Sequence, residues 1–429
     1  MSILLGCIAD DFTGGTDLAG MLVKAGMRTV QMIGIPREPI GDDIDAVVIA
    51  LKSRTSPVEE AVAESLAALR WLQQAGCRQF YFKYCSTFDS TPRGNIGPVG
   101  EALMQALSSN FTIASPAFPV NGRTIYKGHL FVGDILLSDS GMRNHPLTPM
   151  TDANLVRFLQ TQIKGKVGLV DYATVRQGAE AIKARFETLK AEGCNFAVPD
   201  TITNDDLIAI GAACADLPLV TAGSGIALGL PQNFRRAGLL PEHQVADALP
   251  PTGGLRAVIA GSCSIATQGQ VAAMREKHPA FNIDPFELAN GKDVVSEALA
   301  WAKGKIEKEP VLFYATATPD AVKTVQARLG TEKAGSLVEN ALAAIAQGIV
   351  ALGVGQLIVA GGETSGAVVK ALGVSGLRIG PEIDPGVPWT TGITKDATDA
   401  TLRPLALALK SGNFGTPDFF LKAWNKLAS

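Results

Sequence analysis

The stretch ILLGCIADDFTGGTDLAG, residues 3–20, decides how the chain is read. Ile3, Leu4, Leu5, Cys7, Ile8 and Ala9 form an apolar run that predicts a buried strand, while Leu18, Met21, Leu22 and Ala25 recur at helical spacing on one face. Asp10 to Asp17 therefore fall on a strand-to-helix loop. In an open α/β sheet such a loop lies at the carboxyl end of a strand, where ligands bind and the next helix offers free N–H groups. Asp10 and Thr13 suit turn and N-cap roles. Capping needs only one short polar side chain, whereas two adjacent carboxylates repel and require a cation or a proton between them. A Mg²⁺ ion, a sugar hydroxyl or a catalytic proton would each serve.

Working outward, apolar runs alternate with helical patterns: TVQMIGI from Thr29, AVVIAL from Ala46, QFYFKY from Gln79, FTIASPA from Phe111, VGLVDY from Val167, FAVPD from Phe196 and LPLVTAGSG from Leu217. Amphipathic stretches such as PVEEAVAESLAALRWLQQAG, from Pro57, lie between them. Strand then helix, repeated, means an α/β protein with a mainly parallel sheet flanked by helices. DALPPTGGLR, residues 247–256, reads as a linker, after which RAVIAGSCS, PVLFYATAT and LIVAGGETSG restart the pattern. A chain of 429 residues exceeds one ordinary core, so a boundary near Pro251 divides it into domains 1–250 and 251–429.

Composition narrows the function classes. A hydrophobic share of 47%, a charged share of 18% and 45 glycines fit a well-packed α/β enzyme with many tight loops. A formal net charge of -3 argues against a nucleic-acid or membrane-surface partner and leaves small molecules. The six cysteines show no CxxC spacing and sit mostly in apolar runs, which predicts buried free thiols. The first residues lack a basic n-region, and no apolar stretch of spanning length is free of Gly, Pro or charge, so a cytoplasmic enzyme is expected.

In the second half, VIAGSCSIAT and VAGGETSGAVVKALG share one design of strand, Gly with Ser or Thr, then helix. Gly lets the backbone approach a ligand, hydroxyls donate to phosphate oxygens and a helix N-terminus favours negative charge. ALKSGNFGTPDFF, from Ala408, is a third glycine-rich segment that could close over adenosine or phosphate. No GxxxxGK[ST] is present, and GSGIALG from Gly223 lacks the dinucleotide spacing, which disfavours a dehydrogenase and leaves a kinase outside the Walker class. The first half holds polar clusters in ALKSRTSP, YCSTFDSTPRGNIG and PAFPVNGRTIYKGHLF. Their Arg, Ser, Asp and Asn side chains suit a small polyhydroxy acid, although each alone is equally a salt-bridge or turn residue. MRNHPLTPMTD, from Met142, cannot be regular helix or central strand; it fits a lid carrying His145, or an uncomplicated turn.

IADDFTGGTD, STPRGNIG, GSCS, GGETSG and KSGNFG, in that order, resemble the four-carbon acid sugar kinase family over essentially the whole chain. The longer YFKYCSTFDSTPRGNIGP, PAFPVNGRTIYKGHLFV and HPLTPMTD are most similar to its branch acting on 3-oxo-tetronates. The resemblance implies an amino-terminal sugar-acid-binding domain, a carboxy-terminal ATP-binding domain, an active site in the cleft between them, and phosphoryl transfer from ATP to the 4-hydroxyl of 3-oxo-tetronate. Carried over by residue, it implies Asp10 and Asp11 as catalytic, Thr13 at the substrate, and Arg54, Asp89, Arg93 and Asn95 in the acid pocket. Ser262, Ser264, Gly361, Gly362, Glu363, Thr364, Ser365 and Gly412 would contact ATP. Pro92 stands where the wider family often has Leu, which leaves the Arg93 role intact. On this reading Arg93, with Arg54 or Arg123, binds the C1 carboxylate, and one of Asp10 and Asp11 takes the C4 proton. Gly14 and Gly15 would leave room for substrate. Mg²⁺ would come with the nucleotide, its protein ligands unassigned, and a homo-oligomer stays open. The competing readings are the same chemistry on threonate or erythronate, and a sugar-acid and nucleotide-binding protein without turnover.

Overall fold

The computed structural model describes residues 3–37, 40–41, 43–145, 148–242, 245–316, 324–325, 327–394 and 404–427. The chain divides into two compact units, Met1–Ala246 and Asp247–Ser429.

The first unit is built on β1 (Leu5–Ala9), β2 (Thr29–Ile33), β3 (Ala46–Ala50), β4 (Gln79–Lys83) and β5 (Thr112–Ser115), with β9 (Lys166–Val170), β10 (Cys194–Pro199) and β11 (Leu219–Ala222) farther along the chain. They lie in the order β2-β3-β1-β4-β11-β5-β10-β9, all parallel. β1 is buried throughout, as its unbroken apolar run requires for a strand covered on both faces. Its register sets Ala9 opposite Ala50 of β3 and Lys83 of β4. The loops after β1, β3 and β4 are thereby gathered at one end of the sheet.

Between β5 and β9 the chain makes an antiparallel meander of β6 (Arg123–Tyr126), β7 (His129–Val132) and β8 (Ile135–Leu136). The expectation of a polar pocket loop from Pro116 onward misses these strands. Lys127 and Gly128 form the two-residue turn, both with positive φ (51° and 73°), the backbone that matches the twist of a tight hairpin. The buried Asp200 carboxylate fixes it, accepting from Lys127 N (2.9 Å) and Gly128 N (2.8 Å).

The second unit holds β12 (Leu255–Ala260), β13 (Ala280–Asn282), β14 (Val311–Tyr314), β15 (Val354–Ala360), β16 (Val374–Asp384), β17 (Val387–Thr394) and β18 (Ala406–Lys410). The sequence β13-β14-β12-β15-β18 is parallel, while β17 and β16 run antiparallel to their neighbours. Trp389, Phe419, Phe420 and Trp424 anchor its core. Ala360 pairs with both Ala260 and Lys410, so the loops after β12, β15 and β18 share one end, as in the first unit. Each unit is thus α/β with a mainly parallel sheet, as the strand-helix alternation predicts.

One helix segment, Lys333–Ala351, is long and apolar enough to cross a membrane by composition. Leu342, Ile345 and Ile349 on it are fully buried, and it packs on the helices Val294–Ala302 and Gly362–Ala371, the geometry of a core helix. All six cysteines are free; Cys7 and Cys214 are buried and the other four partly so.

Candidate functional site

At the gathered strand ends of the first unit, the cation between the two acids is a side chain. Arg54, on the loop after β3, donates from Nε to Asp10 Oδ2 (2.9 Å) and from Nη2 to Asp10 Oδ1 (2.8 Å), and Nη2 also lies 2.8 Å from Asp11 Oδ1. A third carboxylate, Asp89 on the loop after β4, approaches Nη1 at 3.8 Å. The backbone stitches the same loops: Asp10 N donates to Lys83 O (3.0 Å), and Asp10 O accepts from Ser53 N (3.0 Å) and Arg54 N (3.2 Å). Burial raises the proton affinity of Asp10 more than the neighbouring Arg54 lowers it, so its carboxyl titrates above the ordinary range. Asp11 is different. Its side chain is 28% exposed against 6% for Asp10.

Asp11, not Thr13 or Asp10, caps the helix Phe12–Lys24, accepting from Gly14 N at 3.0 Å. Thr13 Oγ1 donates to its other oxygen at 3.0 Å. The room expected beside Gly14 and Gly15 is already occupied. A Cβ on Gly14 would sit 2.2 Å from Asp11 Oδ1 and 2.8 Å from Lys83 Nζ, and one on Gly15 would press Gln31 at 3.0 Å and Ala50 at 3.2 Å. These glycines admit the acid cluster and the sheet.

Asn95, expected in the acid pocket, holds the Arg54 loop instead, its amide donating to Ser53 O (2.7 Å), Ser56 O (2.9 Å) and Arg54 O (3.3 Å). Thr87 Oγ1 donates to Asp89 at 2.5 Å. Burial and then Asp89 push the nearby Cys85 thiol up to about 11, which keeps it protonated at neutral pH. Arg93 lies on the same loop as Asp89, and its guanidinium is exposed with no partner among the described residues. Gln162 braces that loop through Ser90 Oγ (2.8 Å) and Thr91 O (2.6 Å). Arg123 lies on the meander, its Nη1 donating to Asn121 O. His145 Nδ1 accepts from Thr148 N at 3.1 Å, a turn role; Pro146 and Leu147 of that segment lie outside the described residues.

In the second unit a cavity of about 760 Å³ opens at the ends of β12, β13, β14 and β15, a size that suits a nucleotide. Ser262, Gly361, Gly362, Glu363 and Thr364 line one side, and Ile283, Phe286 and Val338 line an apolar one. Gly361 has φ 129° and supplies no side-chain cap, so the first N–H groups of the helix Gly362–Ala371 stay available to an anion. Gly261 is tighter: a Cβ there would fall 2.1 Å from Thr364 Oγ1.

Ser264, Ser365 and Gly412 are not among the lining residues. Ser264 caps the helix Ile265–Arg275 and donates to Gly412 O at 2.5 Å, and Ser365 Oγ is buried without a hydrogen-bond partner among the described residues. Two buried lysines stand out, each ending a strand beside a candidate ligand loop: Lys83, given no role by the sequence reading, and Lys410, which that reading places in the glycine-rich segment expected to close over adenosine or phosphate. Lys410 Nζ donates to Thr267 Oγ1, Ser411 O and Gly412 O, each at 3.0 Å, and burial lowers it to about 8. In sequence each is a lysine closing an apolar run, in QFYFK and ALALK.

A family model described as a sugar-binding N-terminal domain matches residues 5–230, and one described as a nucleotide-binding C-terminal domain matches residues 257–420. The 3-oxo-tetronate kinase of Burkholderia multivorans is 61% identical over 424 residues, covering 99% of this chain and 97% of that protein. The 3-oxo-tetronate kinase of Haemophilus influenzae is 47% identical over 418 residues, covering 97% of this chain and 98% of that protein. A crystal structure of a Haemophilus influenzae protein has a TM-score of 0.86 at 46% identity, covering 98% of this chain and 100% of that one.

Removing Arg54 strands Asp10 as a buried, uncompensated charge, which typically costs about 3–5 kcal/mol. In Arg54→Met the Asp10 carboxyl, already raised, rises further, so the deficit relative to wild type opens as pH climbs above the wild-type protein's own raised Asp10 value and closes below it, where the carboxyl is protonated in both native proteins. Urea unfolding at pH 7 and at pH 4 checks this: the deficit is expected to be larger at pH 7.

Proposed function

We propose that this chain, which belongs to the 3-oxo-tetronate kinase family, transfers the γ-phosphoryl group of ATP to the 4-hydroxyl of a 3-oxo-tetronate. The observation that carries this reading is the acid pair Asp10–Asp11, held at the strand ends by one arginine. A site that merely bound an acid anion would be weakened by two carboxylates, whereas an alcohol acceptor needs one as a base.

Phosphoryl transfer asks chiefly for positioning and charge neutralisation. Asp11 is the base, because its carboxylate is the more exposed of the two and an acceptor hydroxyl can reach it. Asp10 takes both arms of Arg54 and so fixes the guanidinium that holds Asp11. With Nε and Nη2 so occupied, Arg54 orders the acids and leaves the substrate carboxylate to Arg93. Arg93 can grip C1 through two parallel N–H bonds, which turns C4 toward the acids.

On the nucleotide side, the Gly261–Cys263 and Gly361–Thr364 segments would cradle phosphates, and the Phe286–Val338 side would take the base. Among the described residues no three His, Cys, Asp or Glu side chains converge on a metal position. The carboxylates of Asp284, Glu339 and Glu363 line the cavity and could meet a Mg²⁺ carried by the nucleotide. Bound there, the ion would offset phosphate charge.

ADP release with Mg·ATP across the D and L 3-oxo-tetronates, threonates and erythronates tests the reading. Turnover confined to an oxo acid is expected; turnover with a plain tetronate alone moves the substrate, and silence across the panel removes the kinase assignment. Asp11→Asn should lower kcat by about 10²- to 10⁴-fold with the fold intact. Arg93→Ala should raise KM for the acid by about 10- to 100-fold at nearly constant KM for ATP, as loss of a charge-assisted pair predicts. An unchanged KM for the acid would take Arg93 out of the carboxylate role.

A further inference from the structure

Lys83 is 3% exposed, an unusual burial for a lysine that forms no ion pair with a carboxylate among the described residues. It closes β4 in register with Ala9, so its backbone carbonyl accepts from Asp10 N at 3.0 Å while its Nζ turns back to donate to Tyr84 O at 2.8 Å. Nζ also flanks Gly14 on the side where Asp11 caps the helix, since a Cβ at Gly14 would be 2.8 Å from Nζ and 2.2 Å from Asp11 Oδ1.

The second unit repeats this arrangement with different loops. Lys410 closes β18 in register with Ala360, its carbonyl accepts from Gly361 N at 2.8 Å, and its Nζ donates to the carbonyl of the next residue, Ser411. In both units a buried strand-end lysine therefore stands beside the loop and helix start where the ligand chemistry lies. Two occurrences on unrelated local sequences, YFKY and ALKS, mark a constructed feature.

We infer that Lys83 is a positioning residue for phosphoryl transfer, its buried side chain set beside Gly14 and the Asp10–Asp11 pair as a second cation that holds the two acids in place on Arg54. The inference rests on the proposed kinase reading. Three carboxylates, Asp10, Asp11 and Asp89, meet a single guanidinium at this site, and a lone arginine leaves the cluster with excess negative charge. Lys83 supplies the second cation through space, acting on Asp10 in the same direction as Arg54. The titratable groups facing Asp10 are Asp11 beside it, Arg54 from the loop after β3, and Lys83 and Tyr84 at the end of β4, while Cys85 and Asp89 on the loop after β4 face Arg54; Tyr84 and Cys85 are both held protonated by burial. The acid limb of the kcat profile thus reports the carboxylate cluster as a coupled set.

The test compares the pH dependence of kcat for wild type, Lys83→Met and Lys83→Arg, with thermal unfolding of each as a check on the fold. Lys83→Met is expected to shift the acid limb upward by about 1 pH unit or more, with KM for ATP nearly constant, because the opposite charge that favours the ionised pair is gone. Lys83→Arg keeps the charge and should keep the limb within a few tenths of the wild-type position. A folded Lys83→Met with an unmoved limb overturns the inference. Should Lys83→Met fail to fold, Lys83→Arg decides, since a limb displaced upward despite the retained charge overturns it and an unmoved limb supports it. Absence of turnover in the wild type would instead sink the kinase reading itself.

Discussion

The Asp10–Arg54 pair is the constraint on which the first unit is organised. A carboxylate buried to 5% exposure is costly unless a cation meets it with good geometry, and the two-armed contact at 2.9 and 2.8 Å supplies that. Such a pair adds little net stability over an apolar substitute, but removing one partner is expensive, so it specifies an arrangement more than it strengthens the fold. The arrangement has precise requirements. β1, β3 and β4 must end in register, the loop after β3 must be pinned by Asn95, and the helix after β1 must start at Asp11.

The two units solve a common problem with different materials. Both put a ligand loop at the end of a buried parallel strand, flank it with a neighbouring strand ending in a buried lysine, and start a helix immediately after. In the first unit the helix start is capped by an acid and gathered around carboxylates, which suits an alcohol that must lose a proton. In the second it is left uncapped at Gly361 beside hydroxyls, which suits phosphate oxygens. The chemical difference between the two candidate sites thus follows from what stands at the first position of each helix.

Much of this was legible in the sequence. The parallel strands announce themselves because strands covered on both faces are continuous apolar runs, as AVVIA and LIVA are. The antiparallel pieces were not seen: β16 carries two glycines and a proline, and the β6–β8 meander is polar and half-exposed, so neither shows a clean period. Asp10, Asp11, Thr13, Arg54, Asp89 and Asn95 were found and prove to be one connected network. Their contacts were not legible, because side-chain partners 40 residues apart depend on sheet order: Arg54 faces the acids instead of solvent, and Asn95 faces backbone. Lys83 escaped notice because a lysine at the end of an apolar run reads as a surface residue, and only register shows it turned inward; Lys410 was placed in a ligand loop, and what escaped notice was its burial.

The central claim is that the acid is held by its C1 end so that C4 receives the phosphoryl group. Proton-coupled ³¹P NMR of the product formed from ATP and 3-oxo-tetronate reads this directly, because a phosphate ester on the C4 methylene is split by two equivalent or near-equivalent protons. A new phosphomonoester resonance with that triplet pattern is the predicted result. A doublet, from esterification at the C2 methine, or inorganic phosphate alone would contradict it.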